Sequence, residues 1–112
     1  MTSFLTVLEE LCRVPGTRGA VFVDYEGESI QQVCVDGTLS TYDLSVAGAH
    51  ATPILSGLMK CESVRLVGQD SLTLIRVVTQ LYAVVVVARP DALSSRLQYA
   101  VDRAAMQLKE LM

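Results

Sequence analysis

A chain of 112 residues is near the usual size of one compact domain, so 1–112 is expected to fold around a single core. It is 51% hydrophobic and 19% charged, more apolar than a small monomer needs to fill its interior, and surplus apolar surface points to a partner. A net charge of −3 and an isoelectric point near 5.0, with Arg and Lys scattered singly, exclude a nucleic-acid surface of the phosphate-neutralising kind.

Phe4, Leu5, Leu8, Leu11 and Cys12 recur at helical spacing after Thr2 and Ser3, which can cap the first turn, while Glu9, Glu10 and Arg13 face away. This predicts an amphipathic first helix, stopped by Pro15-Gly16. Gly19 to Asp24 then holds the unbroken apolar run Ala20-Val21-Phe22-Val23, a strand that must be covered on both faces. Tyr25 to Glu28 form a tight connection to Ser29–Val35, where Gln31 and Gln32 break the apolar pattern as in an edge strand. Asp36-Gly37 ends this hairpin, and Asp43 supplies an N-cap or first-turn acid for a second helix.

From Leu44 to Met59 there is no charged residue. Leu44, Ala47, Gly48, Ala51, Leu55 and Leu58 make one stripe, and Val46, His50, Pro53 and Gly57 the opposite, smaller one, so the second helix is expected to be buried on two sides. Glu62 to Gly68 alternates Val64 and Leu66 against Ser63 and Arg65, as an outer strand does. Two apolar runs, Ser71–Val78 and Leu81–Ala88, separated only by Thr79 and Gln80, form a central hairpin with Arg76 as its one charge. Pro90-Asp91 is expected to open the third helix, with Leu93, Leu97, Ala100, Val101, Ala104, Leu108 and Leu111 on its apolar face. The element order is α-β-β-α-β-β-β-α. Placing the most apolar strands centrally gives the sheet order 2-1-5-4-3, with helices 1 and 3 on one face and helix 2 on the other.

No residue set has the spacing of a catalytic or metal-binding motif. Cys12, Cys34 and Cys61 are an odd set without CxxC spacing, and read as buried thiols. His50 with Cys61 lacks a third ligand or orienting acid, so His50 is expected to be hydrogen-bonded at a helix interface. Gly16-x-x-Gly19 lies between a helix and a strand, the reverse of a phosphate loop, and reads as a turn. Asp24, Glu26 and Glu28 read as a solvated hairpin tip. Arg18 and Arg89 flank strand ends, and Met59, Met106 and Met112 read as packing residues. Glu9 and Glu10 interrupt the N-terminal apolar segment, and no apolar run approaches the roughly 20 residues of a membrane span. A cytoplasmic protein with no cofactor, no metal and no membrane insertion is expected.

Leu8 and Leu11, then Pro15-Gly16 before Gly19-Ala20-Val21-Phe22-Val23-Asp24, the turn Gly27, the Ala-rich second helix and the closing strand-helix unit Leu81–Leu111 together resemble the Roadblock family. That family comprises the dynein light chains of Roadblock type and bacterial regulators of Ras-like GTPases. The resemblance implies an α+β, three-layer α/β/α Roadblock (profilin-like) fold with an antiparallel five-stranded sheet. It also implies pairing of two copies through the second helix and the third strand's edge. Val46, His50, Pro53 and Gly57 are then expected at the two-fold axis, and Val64, Arg65 and Leu66 along the paired edge. Pro53 departs from the family pattern, since it must kink the helix or start a second segment. The function implied is a non-catalytic homodimer that binds and regulates a Ras-like small GTPase. The alternative is a structural adaptor of a transport or polarity complex, indifferent to nucleotide state.

Overall fold

The computed structural model describes residues 2–35, 37, 39–57 and 62–112. Its elements are α1 (Phe4–Leu11), β1 (Thr17–Asp24), β2 (Ser29–Cys34), α2 (Thr41–Gly57), β3 (Ser63–Val67), β4 (Leu72–Thr79), β5 (Tyr82–Ala88) and α3 (Ser94–Glu110). The strands form one antiparallel sheet in the order β2-β1-β5-β4-β3, as expected. Polarity dictates that order. β1 and β5, buried along nearly their whole length, take the two most enclosed places, and β4, which also has a neighbour on each edge, is less uniformly buried and carries Arg76. β2 and β3, half exposed, take the edges.

Because side chains alternate along a strand, the sheet divides its apolar residues between two cores. Ala20, Phe22, Leu74, Val84 and Val86 face α1 and α3, which contribute Val7, Leu8, Leu11, Leu97, Val101 and Leu108. Phe22 anchors this side, its ring 5.1 Å from that of Phe4 and 5.5 Å from that of Tyr82. Val21, Val23, Ile75, Val85 and Val87 face the other way, under Leu44 and Ala51 of α2. Burying each of the larger of these side chains contributes about 1.5–3 kcal/mol, so these two layers hold the sheet between the helices. α2 comes unusually close to it. A Cβ built on Gly48 would lie 2.5 Å from Val23 Cγ1, so only glycine permits this seat.

The helix ends differ from expectation in ways local hydrogen bonds explain. α1 is capped as expected by Ser3, whose Oγ accepts the Thr6 amide at 3.2 Å. α2 starts at Thr41, ahead of the expected Leu44. Ser40 Oγ accepts the Asp43 amide and the Asp43 carboxylate accepts the Ser40 amide, each at 3.1 Å, a reciprocal cap. α2 then runs as one helix through Pro53 to Gly57, not as two segments. Proline has no N–H to give the Ala49 carbonyl, and Thr52 Oγ1 donates to that carbonyl instead, at 3.3 Å. The expected inward residue Leu58 lies outside the described residues, as do Met59 and Cys61.

α3 opens at Ser94 and not at Pro90-Asp91. The Ala92 amide donates to the Arg89 carbonyl at 3.0 Å, and the Asp91 carboxylate lies 3.3 Å from the Arg89 guanidinium, so these residues close a turn before the helix. Leu93 thereby becomes the N-cap, 67% exposed, and leaves the apolar face it was assigned to; Leu111 is exposed too. Met106 and Met112 are also exposed, against the expectation that they pack.

Candidate interaction surface

α2 packs on β1, β2 and β5 and reaches β4 less, so β3 extends beyond the helix on that face of the sheet. On the outer side of α2, Val46 is half-buried, and His50 and Pro53 are exposed. His50 is therefore not enclosed at a helix interface within the chain. Gly57 ends the helix, and the positions 46, 50, 53 and 57 fall on one stripe by their spacing of four, three and four. β3 pairs with β4 alone, which leaves its other edge open among the described residues. Val64 packs against the core under α2, and Leu66, two residues on and so on the same face, is 41% exposed. Arg65 points to the opposite face, where its Nη1 donates to Ser94 Oγ at 3.1 Å. The fold thus brings the α2 stripe, Val64 and Leu66 to one side of the sheet and sends the Arg65 side chain to the other.

The residues with chemical potential are occupied structurally. Asp24 Oδ1 accepts the Glu26 amide at 2.9 Å and the Glu28 amide at 3.0 Å, and Gly27, at φ +88°, takes the left-handed position between them. The acidic trio is therefore a turn built around one carboxylate. Gly16, at φ +91°, turns the chain from α1 into β1 as expected, whereas Gly19 lies within β1 and is not part of the turn. Burial, with smaller contributions from Cys34 and Glu9, pushes the Cys12 thiol up to about 12, which withholds the thiolate at neutral pH. The Ser40 amide and hydroxyl hold the Asp43 carboxyl below its usual range, with a lesser contribution from the Arg18 charge. Among the described residues no cluster of three His, Cys, Asp or Glu side chains is arranged to hold a metal, and no helix is long and apolar enough to cross a membrane.

Arg76, the one charge of the central hairpin, lies 3.3 Å from Glu62 and 3.3 Å from Asp102 of α3. Its Nη1 hydrogen-bonds to Glu62, whereas its Nε, though close to Asp102, does not aim its N–H at the carboxylate. The other arginines hold a correction. Scattered in sequence, Arg13, Arg96 and Arg103 converge on the groove between α1 and α3, beside Tyr99. The seven-residue spacing of Arg96 and Arg103, two helical turns, was the available signal.

No protein-family model and no curated protein matches the sequence. Solved structures do match. MglB from Myxococcus xanthus superposes with a TM-score of 0.83 at 15% identity, over 99% of this chain and 95% of that one. MglB in a tetrameric arrangement gives 0.82 at 18% identity, over 93% of this chain and 83% of that one. The Roadblock/LC7 domain from Streptomyces avermitilis gives 0.79 at 17% identity, over 94% and 93% respectively. The chain has the Roadblock/LC7 fold, the α+β architecture expected from its sequence.

Proposed function

We propose that this chain is a non-catalytic cytoplasmic interaction module that pairs with a second copy through α2 and β3 and, so paired, binds and regulates a Ras-like small GTPase. The observation that carries the pairing is a helix face without charge, Val46, His50 and Pro53, beside an open edge strand that exposes Leu66 and Val67. An unpaired edge offers a row of N–H and C=O groups to any strand that can reach it. A second β3 meeting it about a two-fold axis would satisfy both rows and bring the two α2 stripes together, an isologous contact in which every residue acts twice. The tetrameric arrangement of MglB supports self-association on this fold.

The GTPase rests on the resemblance to the Roadblock family and on the likeness to MglB. Such a module acts by favouring one arrangement of the partner's switch segments, which requires shape and no reactive side chain. The test is capture of a Ras-like GTPase encoded near this chain's gene, loaded with GTP or with GDP, on the immobilised full chain. Preference for one nucleotide state supports regulation. Equal capture of both states would instead identify a structural adaptor subunit.

A further inference from the structure

We infer that the groove between α1 and α3, on the face of the sheet opposite α2, is a docking site for an acidic peptide segment carrying an apolar residue between its carboxylates. The inference is independent of the pairing and GTPase reading above.

The chain as a whole is negative, with 12 acidic and 9 basic residues, yet three of those nine line this one groove. Three of the other arginines are engaged: Arg76 by Glu62 and Asp102, Arg89 by Asp91, and Arg65 by the Ser94 hydroxyl. Arg13, Arg96 and Arg103 are exposed and form no ion pair among the described residues, and Glu10 is the one acid in the lining. Three guanidinium groups against the single carboxylate of Glu10 make a local positive field on a negative molecule. Guanidinium also matches a carboxylate in bidentate geometry, which an ammonium cannot do.

The floor is apolar. Val7, Leu11 and Ala104 are nearly fully buried beneath it, and Tyr99, 69% exposed, stands at its rim. The hollow holds about 300 Å³, the lower end of ligand-site volumes. It adjoins a second hollow of about 130 Å³ that shares Val14 and Arg96 and runs past Pro15, Leu93 and the Arg89–Asp91 pair, in which the one carboxylate is already neutralised. The two together form a short track with charge along its walls and a greasy floor. A polyanion such as nucleic acid would gain from the arginines but would leave the floor unused, and its further phosphates would meet the chain's net charge of −3. An acidic peptide uses both features.

The test is fluorescence anisotropy of the full chain with a fluorescein-labelled peptide, Glu-Asp-Leu-Phe-Asp-Glu, and with its counterpart in which every acid is lysine. The acidic peptide should bind and the basic one should not. Arg96→Glu/Arg103→Glu should lower the affinity by about 100-fold. Ala100→Leu, which fills the half-buried floor and leaves the charge intact, should also abolish binding. Both variants should keep the wild-type solution mass and unfolding midpoint. Failure of the acidic peptide to bind, equal binding of both peptides, undiminished binding by either variant, or tighter binding of a single-stranded oligonucleotide of equal charge would each overturn the assignment.

Discussion

Replacing Gly48 with alanine tests how closely α2 sits on the sheet. At an exposed position in a helix interior the change stabilises by roughly 0.8–1 kcal/mol, because alanine surrenders less backbone freedom. Here the new Cβ would meet Val23 Cγ1 at 2.5 Å, where carbon atoms prefer roughly 3.5–4.0 Å. Val23 is wholly buried and branched at Cβ, so it cannot swing aside, and crowding of this kind costs about 1–3 kcal/mol. The net expectation is a loss of about 0–2 kcal/mol. Val23→Ala removes the colliding methyl, at a cost of about 2–3 kcal/mol in lost burial and cavity formation. In that background Gly48→Ala should revert to a gain of about 1 kcal/mol, so the two positions should couple by about 1–3 kcal/mol. Urea unfolding followed by far-UV circular dichroism, at one protein concentration so that association does not shift the midpoint, measures all four proteins. A gain from Gly48→Ala in the wild-type background, or the same change in both backgrounds, would refute the close seat of α2 on β1.

Thr52→Val should destabilise by about 1–3 kcal/mol, since it removes the hydroxyl that serves the Ala49 carbonyl beside Pro53. In a Pro53→Ala background the restored amide takes over and the same unfolding assay should show the cost fall away; an unchanged cost would contradict the assigned role. Asp43→Asn tests the reciprocal cap through pH. The folded-state pKa of Asp43 is depressed, so its contribution is present above the unfolded carboxylate pKa and is lost as pH falls through the folded value. The gap between wild-type and variant urea midpoints should therefore be widest near neutrality and close in acid, and a gap constant with pH would contradict the cap.

The sheet order was legible because it depends on whole strands. Ala20 to Val23 and Ala83 to Val87 leave no polar face to show to water, and Gln31, Gln32 and Arg65 cannot be central, so few arrangements remained. Helix boundaries were less legible because they turn on single hydrogen bonds. Nothing in the periodicity of Leu93 or Leu97 reveals that Arg89 and Asp91 pair first, and Ser40 acquires its meaning only when Asp43 reaches back to it. The role of Thr52 depends on the missing amide of Pro53, which leaves the Ala49 carbonyl to its hydroxyl, a contact that no spacing in the sequence marks. The arginine groove was hidden for a topological reason: Arg13 and Arg96 lie at opposite ends of the sequence, and only the packing of α1 beside α3 joins them. The pairing residues are a different case, since the surface that would cover Val46, His50, Pro53 and Leu66 belongs to another copy. Their lack of charge is visible in one sequence, whereas their contacts are not.

The pairing of α2 and β3 is tested most directly by the mass in solution, from light scattering, of the wild-type chain and of Gly57→Glu. The wild type should show twice the 12.1 kDa of a single chain, and the variant, which places two like charges across the proposed two-fold axis, should run as a folded monomer. A wild-type chain that stays at 12.1 kDa at high concentration, or a Gly57→Glu dimer of unchanged mass, would contradict the account.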